Sequence, residues 1–460
     1  MTPAPEPLAA ARRAFAGQEA WLVGGAVRDK LLGRPTDDVD VALDGDPRQA
    51  ARAIARDTGG KAFELSGAFG AWRVVGPGHA WHVDLVTLRD GDIGADLAAR
   101  DFTINAMAEP LGGGELLDPH GGRADLEARL VRMVSATALA EDPLRTLRAV
   151  RLVTELDLEL DPATGAAARE HARAIDRVAP ERVFGELKRI VTAPAARAGL
   201  ELMDAHGLMA AVLPELAALR GIEQNVFHHA DVHDHTLEVL DAVAALERNR
   251  AFLGDRPADL LAEPLADELT RGGAMRFAAL LHDAAKPQTR AVRPDGRVTF
   301  IGHDSAGAEL ARSVLRRLRA SERTVDYVAA LTLHHLRLGF LVHEQPLDRR
   351  SVWRYLQATA PWTDDVTIFT VADRLATRGR GAEEAIAAHV TLARDMLAAE
   401  PPPTEPLIRG DELARELGIV PGPRLGELLA QLEEDRYAGA IATREQAVAR
   451  ARELASGDAR

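Results

Sequence analysis

The chain changes texture near residue 135. Before that point, short β-branched runs bounded by Gly or Pro recur at Trp21–Val23, Val39–Leu43, Trp72–Val75 and His82–Val86. Helical patterns at Val27–Leu32 and Pro47–Thr58 lie between them. After it, helical periodicity runs almost unbroken from Ala138 to Gly457. Such a division predicts an α+β head followed by an all-α body, because strands must pair with one another and amphipathic helices must bury their apolar faces on one another. Three breaks subdivide the helical part: the Leu213-Pro214-Glu215 turn with the polar Gly221–Asn225 stretch, a Pro-Asp-Gly turn within Arg290–Val298 that reads as a small hairpin, and the stiff Glu400–Pro403 segment. The expected domains are 1–137, 138–220, 221–400 and 401–460.

Composition narrows the chemistry. The 460 residues contain no cysteine, so disulfides, zinc–thiolate sites and iron–sulfur clusters are excluded, and any metal must sit on His, Asp or Glu. The net charge of −14 argues against a general nucleic-acid coat but not against a nucleic-acid enzyme, since binding follows local charge. The apolar runs are too short for a membrane span. The alanine-rich Met1–Gly17 segment reads as a helix rather than a signal peptide, so a soluble, cytoplasmic protein with no membrane partner is expected.

Gly24-Gly25 follows a predicted strand and opens a predicted helix, a place where the backbone can approach a phosphate closely. Next comes Asp37-Asp38-Val39-Asp40-Val41. Residues two apart on a strand share a face, so Asp38 and Asp40 project together while the valines pack on the other side. Two adjacent like charges call for a cation, and a pair of Mg²⁺ ions is the usual solution in phosphoryl chemistry. Asp84 supplies a third carboxylate from the neighbouring strand.

These residues carry a resemblance. Leu22 to Arg34 with Asp38-Val39-Asp40 resembles the head of the class II tRNA nucleotidyltransferase and bacterial poly(A) polymerase family. Arg100 to Ala108 is similar to that family's ribose-reading motif, Asp118-Pro119-His120-Gly121-Gly122 with Asp125-Leu126 to its hinge-like motif, Glu141 to Arg145 to its base-reading motif, and Glu181-Arg182 with Glu186-Leu187 to its neck-helix motif. The resemblance implies a polymerase-β-like head that transfers nucleotides to tRNA from CTP, and in some members ATP. It implies Asp38, Asp40 and Asp84 as catalytic carboxylates and Gly24, Gly25, Arg28, Arg100, Asp101, Asn105, Asp142, Arg145 and Arg148 as nucleotide-binding residues. The base-reading pair also makes chemical sense alone. Asp142 and Arg145 are three apart on one helix face, and Arg148 extends it. A carboxylate accepts from an exocyclic amine while a guanidinium donates to a ring nitrogen, which selects C and A together over U and G.

Two features depart from the family pattern. Ala99 stands where a second arginine usually precedes Arg100, and only Asp90 to Ala95 separate Thr87-Leu88-Arg89 from Asp96-Leu97. Full CCA-adding members have a longer flexible loop there, implicated in the switch from CTP to ATP. The short form implies an enzyme that adds only the two cytidines and leaves the final A to a separate A-adding enzyme. The rival readings are a complete CCA-adding enzyme, a poly(A) polymerase, and a phosphodiesterase with an inactive head.

Eight of the 15 histidines fall between residues 228 and 335. The ordered set is His235, His282-Asp283, His303, His334 (or its neighbour His335) and Asp373. Imidazoles and carboxylates without thiols suit metals such as Ni, Mn or Co. The segment resembles the HD phosphohydrolase superfamily, with Phe227–Leu237 like its opening helix, and this implies a metal-dependent phosphodiesterase or phosphatase, with 2′,3′-cyclic ends of damaged tRNA as one substrate class. His228, His229 and His233 read individually as structural. Pro406 to Leu429 resembles the family's tail, which meets the tRNA elbow, and Arg312, Arg316, Arg317, Arg319 and Arg323 form an arginine-rich helix expected to be a solvated face.

Overall fold

The computed structural model describes residues 7–15, 18–35, 38–66, 70–224, 229–344, 347–379 and 381–457. Asp37, Asn225, Phe227 and His228 lie outside them, as do the two ends of the predicted Met1–Gly17 helix. The chain forms two compact units, one up to Val212 and one from Leu213 onward. Among the described residues, no helix is long and apolar enough to cross a membrane.

The first unit is built on a six-stranded mixed sheet. Its strands are β1 (Ala20–Val23), β2 (Asp38–Leu43), β3 (Lys61–Ser66), β4 (Ala71–Val75), β5 (His82–Thr87) and β6 (Ala108–Pro110), in spatial order β3-β4-β5-β2-β1-β6. Only the β2–β5 pair is parallel. One sheet face is buried under α1 (Pro7–Ala14) and α3 (Pro47–Thr58), where Val39, Val41, Ile54, Val83 and Leu85 share a core with Phe15. Each such buried aliphatic side chain contributes about 1.5–3 kcal/mol. Because side chains alternate along a strand, burying Val39 and Val41 drives Asp38 and Asp40 out of the opposite face. α3 starts at the Asp46 carboxylate, which accepts from Arg48 N at 2.9 Å, and ends at Gly59 in the left-handed conformation that favours glycine.

The far end of the opposite face is covered by α4 (Ile93–Ala98), which packs Leu97 against Val23, Ala42, Leu88 and Ala108. One 3₁₀ turn at Arg89–Gly91 leads to Asp92, whose side chain caps Gly94 N and Ala95 N. Three further helices, α5 (Gly122–Glu127), α6 (Ala138–Glu141) and α7 (Leu144–Leu156), join a second core through Phe102, Ile104, Leu126, Leu139 and Leu152. The hinge-like motif serves this junction. Asp118 accepts from Gly122 N at 2.6 Å, and Asp125 accepts from the Thr103 hydroxyl at 2.7 Å. A Cβ at Gly122 would stand 2.1 Å from the Thr103 carbonyl, so only glycine permits this approach.

The second unit is helical, with two-stranded β pieces at Pro264–Thr270 and Ala291–Thr299, the latter being the expected hairpin. Helices Val232–Arg248, Arg271–Leu281, His303–Arg317, Glu322–His334 and Thr363–Ala376 form the bundle that carries the histidine cluster. Helices Gly410–Leu417, Pro423–Tyr437 and Arg444–Gly457 enclose a separate small core of Leu413, Leu428, Leu432, Ala447 and Val448. Buried Asp435 ties this core to the bundle by pairing with Arg350 at 2.5 Å and Arg450 at 2.8 Å. The expected arginine-rich helix is broken: Arg312, Arg316 and Arg317 lie on the helix ending at Arg317 and pair with Asp326, Glu322 and Glu215, Arg319 lies in the following turn, and Arg323 lies on the next helix.

Candidate functional site

The first unit holds a polar cavity of about 620 Å³ whose lining runs from Asp38 and Asp40 past Gly24 and Arg100 to Asp142 and Arg145. β2 and β5 bring the carboxylates together. Asp84 stands directly across from Asp40 in the parallel register, and His82 directly across from Asp38. Asp38 Oδ1 lies 2.9 Å from His82 Nδ1 and its side chain is exposed. Asp84 is gripped on both oxygens by Arg73, which donates from Nε and Nη2 at 2.6 Å each. Burial, and then the facing Asp84, raise the Asp40 carboxyl above its ordinary value; Arg100 opposes the rise and Asp38 adds to it. This carboxylate is short of positive charge, and a divalent cation held by Asp38 and Asp40 would relieve it, so the donor set fits Mg²⁺.

Gly24 closes the site from β1. With φ of 68°, it occupies the left-handed region, and a Cβ there would stand 2.8 Å from Arg100 Nη1 and 3.2 Å from Asp40 Oδ2. Beside Gly25, a chain of polar contacts crosses the floor. Arg28 binds Asp29 through Nε and Nη2 and donates from Nη1 to Asn105 Oδ1 at 2.7 Å; Asn105 donates to Asp101 Oδ1 at 3.0 Å; Asp101 Oδ2 pairs with Arg148 Nε at 3.0 Å. Burial pushes Asp101 up, but Arg148, the Asn105 amide and the Phe102 N–H together hold it below its ordinary value. Arg100 is itself held by Asp96 at 2.9 Å.

Asp142 and Arg145, the pair expected to read the base, are held from two sides. Asp142 Oδ1 accepts from Leu144 N at 3.2 Å, near the start of α7, and its Oδ2 accepts from Arg182 Nη2 at 2.8 Å. Arg145 donates from Nη2 to the Ala99 carbonyl at 2.8 Å and from Nη1 to the Ala138 carbonyl at 3.1 Å. Glu186 of the neck motif accepts from the buried Arg151 at 2.6 Å. Sequence reasoning assigned no contact to Arg73 or Arg182. Arg73 faces Asp84 only through the β4–β5 register, and Arg182 reaches Asp142 across forty residues of chain.

The second site lies in the helical unit, at the floor of a cavity of about 580 Å³. Two triads converge there: His235, His282 and Asp373, and Asp283, His303 and His335. Asp283 sits between them, 3.2 Å from His282 Nε2, 3.8 Å from His235 Nε2 and 3.3 Å from His303 Nε2. Asp373 Oδ1 is 3.1 Å from His235 Nε2. Helical geometry corrects one expected ligand. His335, not His334, faces the cluster, because consecutive helix residues point about 100° apart and only one can face the bundle axis. His334 turns outward and accepts from Arg337 Nε at 2.9 Å.

Three of these rings are oriented alike. Nδ1 of His282, His303 and His335 each lies 2.6–2.9 Å from the carbonyl three residues earlier, which assigns the proton to Nδ1 and turns the Nε2 lone pair inward. His303 Nε2 and His335 Nε2 then face each other at 3.2 Å. Burial, and then His282, push His335 down to about 4, so it stays neutral. Two facing lone pairs repel unless a cation shares them, and the six side chains fit one or two divalent ions. Burial opposes ionisation of Asp283, but His282 and Lys286 hold it well below the usual carboxylate range. Lys286, three residues after Asp283, lies 2.6 Å from it and donates to Gln224 Oε1 at 2.6 Å; the sequence reading missed this cation. His229 pairs with Glu238 and His233 contacts Asp234, both apart from the cluster.

Known proteins match this chain in both units. The family profile described as the poly A polymerase head domain matches residues 20–90 and 82–132, the probable RNA and SrmB-binding site of polymerase A matches 157–219, and the HD domain matches 232–378. An A-adding tRNA nucleotidyltransferase of Deinococcus radiodurans is 39% identical over 93% of this chain and 94% of its own. A CC-adding tRNA nucleotidyltransferase of Thermus thermophilus is 34% identical over 94% of this chain and 93% of its own. A solved CCA-adding enzyme in complex with CTP shares the fold, with a TM-score of 0.64 at 20% identity over 98% of this chain and 96% of that one. The head with its facing carboxylates, the helical body and the HD cluster thus belong together, and the chain is a member of the tRNA nucleotidyltransferase family of CCA-adding enzymes.

Proposed function

We propose that the head adds two cytidines to the 3′ end of tRNA from CTP, and that a separate A-adding enzyme completes the end. The observation that carries this reading is the tether of Arg145 to the Ala99 carbonyl, just past α4. α4 follows a single capped turn rather than a long loop, so the base-reading guanidinium has one setting rather than two. The CC-adding relative from Thermus thermophilus supports it. The A-adding relative from Deinococcus radiodurans favours a second reading, in which the same rigid setting accepts ATP onto tRNA already ending in CC.

In this reading Asp142 accepts from the exocyclic amine of cytosine and Arg145 donates to its ring nitrogen. Arg100 and Arg28 meet the triphosphate beside Gly24 and Gly25, and Asp101, Asn105 and Arg148 hold the ribose. Asp38 and Asp40 would hold Mg²⁺, which would supply activation of the attacking hydroxyl and charge relief at the departing oxygens. The tRNA 3′-oxygen bonds to the α-phosphorus of CTP, the bond to pyrophosphate breaks, and the hydroxyl proton leaves to solvent. Asp84, neutralised by Arg73, completes the carboxylate row. The HD cluster acts as a second, metal-dependent phosphohydrolase site using Ni, Mn or Co, and the C-terminal three-helix segment contacts tRNA.

The test is single-nucleotide incorporation with Mg²⁺ on tRNA lacking its 3′ end and on tRNA ending in CC, with CTP, ATP or both. Two cytidines on the first acceptor and no AMP on either support the CC reading. AMP on the CC-ended acceptor alone establishes the A-adding reading, and CTP plus ATP completing the first acceptor establishes a full CCA enzyme. Extension of unrelated RNA with ATP alone makes it a poly(A) polymerase.

A further inference from the structure

The sheet register sets four side chains in a row across four strands. Phe63 on β3 faces Arg73 on β4, Arg73 faces Asp84 on β5, and Asp84 faces Asp40 on β2. The next row is Lys61, Val75, His82 and Asp38. Directly opposed residues share a sheet face, so Phe63 and Lys61 stand on the face that carries the carboxylates. The alternate residues Ala62, Val74, Val83 and Val39 pack into the core on the other face. Phe63 is nonetheless 46% exposed on an edge strand, and Lys61 beside it is exposed too.

Nucleotidyl transfer needs two substrates at one pair of carboxylates. The cavity lies on the β1 side of Asp40, with Gly24, Arg100, Asp142 and Arg145 in its lining. An attacking hydroxyl in line with the leaving group must arrive from a direction the triphosphate does not occupy. The side that remains is the β5–β4–β3 face. There Arg73 offsets the charge of Asp84, so a phosphodiester strand can pass close to the carboxylate row. An exposed aromatic with a lysine beside it offers a base a stacking plane and a phosphate a cation.

We propose that Phe63 and Lys61 form the docking platform for the 3′-terminal nucleotide of the acceptor RNA, its base stacked on the Phe63 ring and its phosphate at Lys61. The proposal rests on the nucleotidyl-transfer reading of the head, and the experiment separates the two. An acceptor RNA carrying 2-aminopurine as its 3′-terminal base is titrated with the full chain, in the Asp40→Asn background to prevent extension. The expected result is quenching by the chain with Phe63 intact, loss of the quench on adding Phe63→Ala, and its return with Phe63→Trp. In the otherwise wild-type enzyme, Phe63→Ala and Lys61→Glu should each raise the KM for acceptor RNA about tenfold while the KM for CTP stays within about twofold. A thermal melt confirms that these surface variants fold. An unchanged quench with Phe63→Ala, no quench in the parent chain, or a parallel rise in both KM values overturns the platform. Quenching without CTP incorporation by the wild-type enzyme overturns the transfer reading and leaves the platform standing.

Discussion

Arg73 grips both carboxylate oxygens of Asp84 at 2.6 Å, and Asp84 in turn faces Asp40 across the one parallel strand pair of the six-stranded sheet. The arrangement places a fixed cation one strand beyond the carboxylates, where it offsets the charge of Asp84. Replacing Arg73 with Met leaves Asp84 and Asp40 facing each other with Arg100 the main group opposing the repulsion at Asp40. CTP incorporation should fall about 10- to 100-fold in kcat, as for other residues that orient a metal-site carboxylate. Arg73→Lys keeps the charge but not the two-point grip, so an intermediate kcat is expected. Wild-type kcat in Arg73→Met removes the positioning role.

Asp40 is raised by burial and by like charge, so its ionised form is held at a cost that folding itself does not require. Asp40→Asn should therefore abolish incorporation without lowering the melting temperature. Asp38→Ala should do the same, because its side chain is exposed. Incorporation assays and thermal melts on the same preparations check both, and retained turnover in either variant rules out the metal assignment.

Arg182 occupies one oxygen of Asp142, the group read as the acceptor for the base amine. Arg182→Met should free that oxygen to swing and loosen base choice. The expected change is about a tenfold rise in the KM for CTP together with measurable UTP incorporation, on the scale of one lost orienting contact. Competition between CTP and UTP on one acceptor measures it; unchanged discrimination sinks this role for Arg182.

The HD cluster distinguishes two adjacent histidines. His335→Ala should lose bound metal and phosphohydrolase activity, whereas His334→Ala, altered at an outward-facing ring, should keep both. Metal content by mass spectrometry, with hydrolysis of a 2′,3′-cyclic nucleotide, reads the contrast. Equal loss in both variants contradicts the inward assignment of His335.

His389 supplies a pH dependence. Burial pushes it down to about 4, and its Nε2 lies 3.0 Å from the Thr370 hydroxyl. A depressed folded value means that the unfolded chain binds the proton more readily. The His389 contribution is intact above the unfolded value of about 6.5 and is lost as pH falls through the window from there to about 4. Between pH 7.5 and 5.5 it should cost about 1.4 kcal/mol. Denaturant melts of wild type and His389→Leu at the two pH values should differ in slope by that amount, and parallel pH dependence would assign the buried ring no part in it.

Local pattern alone specified much of this protein. The period-two alternation of Asp38-Val39-Asp40-Val41 placed two carboxylates on one face, since burying the valines leaves the aspartates no other direction. The ordered motifs from Gly24 to Glu186 and the histidine series, read through the family resemblance, picked out candidate residues that the fold gathers at two cavities. Pairing between distant segments was not written there. β3 and β6 were missed, and so were the Arg73–Asp84 grip, the Arg182–Asp142 contact and the tether of Arg145 to the Ala99 carbonyl, each formed between segments that meet only when the chain packs. The choice of His335 over His334 belongs to the same class. Both are imidazoles on one helix end, and only the rotation of that helix against its neighbours decided which Nε2 turned toward Asp283.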